Sequence, residues 1–172
     1  MKTSKFVQKL QVVLLILGAT TLTYAQNVLP EIVIRAANYK YLDAVSAEES
    51  AQPVNMAEQA AAAYDMKGQE FYEDEYDKYF VSFIIPEGKI LAAYDKDGKL
   101  LRTAERYKSV ALPPSVKKAV ATKYPGWAIS KDVYLVNYEA TEGVAIRKLY
   151  KLLLENGSKR MRVKITDQGE FL

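Results

Sequence analysis

The chain has 172 residues, a formal net charge of +3, and neither histidine nor cysteine. Those two absences exclude disulfides, Ser-His-Asp triads, Cys-His pairs and the usual zinc, copper and nickel ligand sets. The positive charge is confined to the N-terminus: removing Lys2, Lys5 and Lys9 from 24 bases leaves 21, against 21 acids. A neutral chain lacks the cationic footprint of a nucleic-acid binder.

Residues 1–25 have the layout of a cleavable export signal. Lys2, Lys5 and Lys9 precede a short apolar run, Val12 to Leu17, and Thr23 and Ala25 sit at a small-residue cleavage site. The run is too short to span a bilayer, which takes about 20 apolar residues. A lipid anchor needs a cysteine at the mature N-terminus. The expected product is therefore soluble, periplasmic or secreted, and not a lipoprotein. Membrane contact is expected only through the signal before cleavage.

Residues 26–52 read as an extended leader and linker, with a weakly alternating strand at 29–35 and a turn-like stretch from Ser46 to Pro53. A helix is expected over 54–66, capped by Asn55, stopped by Gly68, with Met56, Ala60, Ala63 and Tyr64 on one stripe. Three strands follow. Phe80 to Ile85 alternates; Pro86-Glu87-Gly88 turns into Lys89 to Tyr94; Asp95-Lys96-Asp97-Gly98 turns into Lys99 to Tyr107.

The pattern then recurs. Pro113 and Pro114 open a second helix with Val116, Ala119, Val120 and Tyr124 as its apolar stripe, ended by Pro125-Gly126. Strands are expected at 133–139 and 144–154. The Asn156-Gly157 hairpin leads into a strand where Met161, Val163 and Ile165 alternate with Arg160, Arg162 and Lys164. The chain thus reads helix–strand–strand–strand twice, over 53–108 and 109–172, and both copies carry an Asp-rich glycine turn. The expected fold is α+β, with two tandem units, each helix on its own antiparallel sheet.

Motifs for chemistry are weak. Asp95-x-Asp97-Gly98 lacks the further ligands of a calcium loop. Ser115-Val116-Lys117-Lys118 matches S-x-x-K by spacing alone, without its companion motifs. No phosphate-cradling glycine loop occurs. The distinctive cluster is acidic and aromatic: Glu70, Phe71, Tyr72, Glu73, Asp74, Glu75, Tyr76 and Asp77. If extended, it places Glu73 and Glu75 on one face. Trp127 is the sole tryptophan and suits either a core or an interface. The candidate partner-binding residues are Phe71, Tyr72, Glu73, Glu75, Tyr76 and Trp127. No catalytic, cofactor-binding or metal-binding residue is assigned.

Charge is unevenly spread. Ten acids and one base lie between Asp43 and Asp77, and sixteen bases and six acids between Lys96 and Lys164. Such polarity either neutralises itself on folding or steers a charged partner.

The segment from Leu112-Pro113-Pro114 through Val116, Ala119 and Val120 to Lys123-Tyr124-Pro125-Gly126 resembles the helix signature of the PepSY-like family of exported Bacteroidota proteins. That family is similar to the β-lactamase-inhibitor-protein fold. The resemblance covers about 54–172 and is strongest over 112–172. It implies tandem helix-on-sheet units and a non-catalytic periplasmic role, binding or inhibiting a peptidase or other envelope enzyme. It fixes no functional residue, and Trp127 stands where a smaller residue is expected. A structural or envelope-assembly role, with the leader pairing on a sheet edge, is the alternative. A hydrolase using carboxylates alone is the remote one.

Overall fold

The computed structural model describes residues 38–172 apart from 48 and 142–143. The export signal, residues 26–37 of the leader and the strand read at 29–35 lie outside the described residues. The elements run α1 (Tyr39–Val45), α2 (Gln52–Ala63), β1 (Lys78–Ile85), β2 (Gly88–Asp95), β3 (Leu100–Lys108), α3 (Pro114–Lys123), β4 (Ala128–Glu139), β5 (Val144–Asn156) and β6 (Lys159–Thr166). The class is α+β.

All six strands join one antiparallel sheet in the order β1-β2-β3-β4-β5-β6. This corrects the expectation of two units with separate sheets. β3 pairs with β4 from Arg102↔Glu139 to Lys108↔Val133. The last strand of one copy is therefore bonded to the first strand of the next. Two three-stranded sheets would each leave unpaired N–H and C=O groups at that edge, and joining them satisfies both.

The repeat is also out of step with the strands. The Asp95–Gly98 turn joins β2 to β3, whereas the turn at Asp167–Gly169 follows β6 and leads to the Ile165↔Phe171 bridge. The two turns still share their chemistry. Gly98 N–H donates to the Asp95 carbonyl (3.0 Å) and Gly169 N–H to the Thr166 carbonyl (3.1 Å). Both glycines hold positive φ, 76° and 89°, which a side chain would resist.

The first long helix differs from its reading. α2 starts at Gln52, capped by Ala51 with Pro53 in its first turn, and ends at Ala63. Asn55 is inside it, and Gly68 lies in a later turn. Its buried face is Val54, Ala57, Glu58, Ala61 and Ala62. Met56, expected inside, is 62 % exposed. Alanine on every side gives little amphipathic bias, so packing chose the face.

α1 falls within the stretch read as leader and linker. Tyr41 and Val45 are buried, and the helix packs on α2, β4 and β5. Asn38 anchors its start: its Nδ2 donates to the Ala62 carbonyl (3.0 Å) and its Oδ1 accepts from Leu100 N–H (2.8 Å). α2 packs on β1 and β2. α3 buries Val116 and Val120, and the Ser115 hydroxyl donates to the Asp167 carbonyl (2.8 Å). The three helices and one sheet face share one core, containing Tyr94, Tyr107, Tyr134, Val136, Tyr150, Leu152 and Ile165.

The β2–β3 register depends on a close approach at Gly88. A Cβ there would lie 2.1 Å from the Arg106 carbonyl oxygen and 2.8 Å from Tyr107 Cα. Gly88→Ala is expected to lower stability by about 1–3 kcal/mol, measured by urea denaturation; an unchanged midpoint would contradict this packing.

Candidate functional site

The acid–aromatic segment is a series of turns between α2 and β1, not a strand. Glu73 and Glu75 therefore do not share a strand face; both are exposed. The segment is pinned by its rings. Tyr72 stacks on Tyr79 with centroids 5.4 Å apart, and Tyr76 meets Tyr79 edge-on at 6.1 Å. The Tyr79 hydroxyl donates to the Glu73 carbonyl. The Tyr72 hydroxyl lies 2.8 Å from Asp74 Oδ1 and 3.0 Å from the Lys96 carbonyl. The Asp74 hydrogen bond, with lesser contributions from desolvation and nearby charge, pushes the Tyr72 hydroxyl up to about 12. Phe71 and Tyr76 are about half exposed, at 55 % and 54 %.

Trp127 is not part of this cluster. It is half-buried, packs against the core and donates its backbone N–H to the Tyr124 carbonyl (3.2 Å). It precedes Ala128, which pairs with Glu155. The opposite end of β4, at Glu139, is the one that lines up through Arg102 with the Lys78 end of β1. Five of the six candidates lie together, and Trp127 lies three strands away at the other end of the sheet.

A second surface emerges from strand parity. Side chains alternate between faces, and the described helices all pack on one face. The other face is left open among the described residues. Register places Lys89, Arg102, Arg106, Lys108, Lys131, Arg147, Lys151, Arg162 and Lys164 on it. The described strand acids on the same face are Asp95, Glu139 and Glu155. Asp95 Oδ1 is engaged by the N–H groups of Asp97 and Lys99 (2.9 Å each), and Glu155 pairs with Arg160 (3.0 Å). Between the bases lie apolar side chains: Phe80, Ile84 and Leu91 are 60 %, 77 % and 45 % exposed. Arg102 lies over the Phe80 ring at 6.0 Å. A depression of about 420 Å³ runs along this face, lined by Lys131, Val133, Lys151, Leu153, Arg162 and Lys164. The alternation of Arg160, Arg162 and Lys164 with Met161, Val163 and Ile165 was the sequence signal for it.

The covered face holds an unexpected acidic pair. Glu58 of α2 and Glu105 of β3 are both buried. Glu105 is richly bonded: Oε1 accepts from Tyr41 (2.8 Å) and Thr103 (2.7 Å), Oε2 from Tyr107 (2.8 Å). Those bonds favour its ionised form and oppose the upward push of burial. Neither Glu58 oxygen has a hydrogen-bond partner. Burial first, then the Glu105 charge, push Glu58 up to about 8, against a smaller downward pull from Lys148. Burial outweighs those bonds at Glu105 as well, so both carboxyls are raised above the usual carboxylate range. Beside them runs a tyrosine ladder across β3, β4 and β5: Tyr107 to Tyr134 at 6.2 Å, and Tyr134 to Tyr150 at 4.4 Å. Thr103, Glu105 and Tyr107 share an inward parity, the sequence signal that Glu105 is buried.

This pair sets the sign of a pH effect. An unfolded glutamate titrates near 4.5 and folded Glu58 near 8. Between those values the folded state binds more protons, so stability falls as pH rises. The thermal midpoint should drop from pH 5 to pH 8.5, and Glu58→Gln should flatten the drop. A midpoint that rises across that window in the native chain would refute the assignment.

Among the described residues no cluster of acids is arranged to hold a metal ion, and no described helix is long and apolar enough to cross a membrane. Compared with known protein families and with curated proteins, the chain finds no match to either.

Proposed function

We propose that this chain is an exported, non-catalytic binding or inhibitory module that seats an acidic protein partner of the periplasm on its open sheet face. The single observation that supports this most is the open face itself. Its bases outnumber its acids, and two of those acids are already engaged within the chain. Interleaved apolar side chains supply contact area, while the bases steer an acidic surface and set its orientation. The export reading rests on the N-terminal signal pattern, and the resemblance to PepSY-like domains points to an envelope enzyme, such as a peptidase, as the partner.

The buried pair Glu58 and Glu105 argues against the carboxylate-hydrolase alternative. Both carboxyls are buried in the covered core, away from solvent, and Glu73 and Glu75 are exposed on turns.

The test is affinity capture from the envelope fraction with the native chain and with an Arg162→Glu/Lys164→Glu variant. Both side chains are exposed, so the variant should keep its fold. The expected result is an acidic protein retained by the native chain, lost from the variant, and eluted by salt as screening shortens to about 3 Å at 1 M. Capture that ignores both the charge reversal and the salt would overturn this reading.

A further inference from the structure

The covered side of the sheet has an opening that an acidic partner on the other face does not use. The turn between α1 and α2, the start of α3, the rings of β4 and β5 and the turn after β6 meet around a cavity of about 300 Å³. Its walls include Glu49, Ser50, Ser115, Tyr134, Tyr150 and Asp167, and no described lysine or arginine lines it. That size is at the small end of ligand sites, which run from about 300 to 1,000 Å³. We propose that this cavity binds a small organic cation, whose ammonium or guanidinium group is held by the Tyr134 and Tyr150 hydroxyls and the Asp167 carboxylate.

Both tyrosines are almost wholly buried, at 1 % and 2 % exposed, and their stacking fixes them side by side. Other buried tyrosines of the core have their hydroxyls engaged: Tyr41 and Tyr107 donate to Glu105, and Tyr94 to the Ala61 carbonyl (2.6 Å). The Tyr134 and Tyr150 hydroxyls have no hydrogen-bond partner among the described residues. A buried hydroxyl ordinarily has one, and the space beside these two is the cavity. Burial pushes both hydroxyls well up, so both stay protonated. At Tyr150 the next cause is the Asp167 charge, which sets that hydroxyl within electrostatic reach of the Asp167 carboxylate.

The charge of the walls selects a cation. Glu49 is exposed and Asp167 half-buried, and neither carboxylate has an ion-pair or hydrogen-bond partner among the described residues. The charged side chains acting on the two hydroxyls are all acids: Asp167, Asp132 and Glu58 on Tyr150, and Glu58, Asp167 and Glu105 on Tyr134. α3 opens at this wall on Pro113 and Pro114, which have no N–H, so an anion would find few donors. The bond from the Ser115 hydroxyl to the Asp167 carbonyl ties the acidic turn to the helix. A phenolic hydroxyl both accepts and donates, so Tyr150 can take a proton from the cation and give its own to Asp167. A free amine and a lysine or arginine side chain share this chemistry. The cavity lies away from Arg162 and Lys164, so it is independent of the proposed partner face.

The test is calorimetric titration of the full chain with putrescine, arginine methyl ester and a Gly-Lys-Gly peptide blocked at both ends, with 1,4-butanediol as the neutral control. At least one cation is expected to bind with a dissociation constant of about 1 mM or tighter, and butanediol is not. Binding of putrescine or the arginine ester identifies a free small molecule as the ligand; binding of the blocked peptide alone identifies a side chain of a protein. Asp167→Asn should weaken binding about tenfold or more, since it removes a charge-assisted bond. Tyr134→Phe/Tyr150→Phe should do the same while keeping the stacked rings and the circular dichroism spectrum. Arg162→Glu/Lys164→Glu should leave binding unchanged, which separates this result from the partner assay. No binding of any cation at about 10 mM, equal binding of butanediol, or binding indifferent to both Asp167→Asn and the paired tyrosine substitution would overturn the inference.

Discussion

The pairing of β3 with β4 is the constraint on which the rest of the structure depends. It turns two short sheets into one, and it does so with the residues from Arg102 to Lys108 against those from Val133 to Glu139. Once the strands are continuous, the sheet has one pair of faces instead of two. The described helices pack on the same face, and among the described residues the other is left open. The same pairing sets Tyr107 beside Tyr134, and Tyr134 in turn beside Tyr150. The aromatic ladder under the helices is thus a consequence of the seam, and each cross-strand contact adds about 0.2–1 kcal/mol.

The covered face is not a simple apolar core. Glu105 projects from β3 into it and gathers hydroxyls from α1 and from its own strand. That bonding holds α1 to the sheet through Tyr41, and Asn38 holds the start of the same helix. Glu58 approaches the same place from α2 without a bonding partner. Removing a carboxyl group from water unpaired is expensive, so the proton stays. Burial raises both carboxyls, and the surrounding hydroxyls offset that push at Glu105 alone.

Much of the local structure was legible. The hairpin at Asn156-Gly157, the turn at Asp95–Gly98, the stripe of Val116 and Val120, and the alternation from Arg160 to Ile165 all follow from short-range rules of turn chemistry and periodicity. Where the local signal was weak, the reading went astray. An alanine-rich helix has no strong preferred face, so Met56 was expected inside and is outside. Pro53 reads as the end of a linker and instead sits in the first turn of α2. The acidic and aromatic composition of 70–77 sets no conformation by itself; turns and ring packing against Tyr79 fold it, so Glu73 and Glu75 share no strand face. α1 is not legible in the sequence because a helix of about two turns carries too little periodicity to register. Of the candidate binding residues, Phe71, Tyr72, Glu73, Glu75 and Tyr76 do lie together, since they are neighbours in the chain. Trp127 does not, since its place is set by the length and register of β4.

By itself the sequence determined the absence of histidine and cysteine chemistry, the balance of charge beyond the first residues, the α+β class, and the strand parity that sends Arg162 and Lys164 one way and Val163 and Ile165 the other. These are properties of composition and of neighbours two to four residues apart. The tertiary structure alone decided that the two copies share a sheet, that Glu58 meets Glu105 across 47 positions of chain, and that bases from β2 to β6 gather on one open face. Those outcomes depend on which strand edge meets which, and edge pairing is a long-range choice that no local pattern encodes.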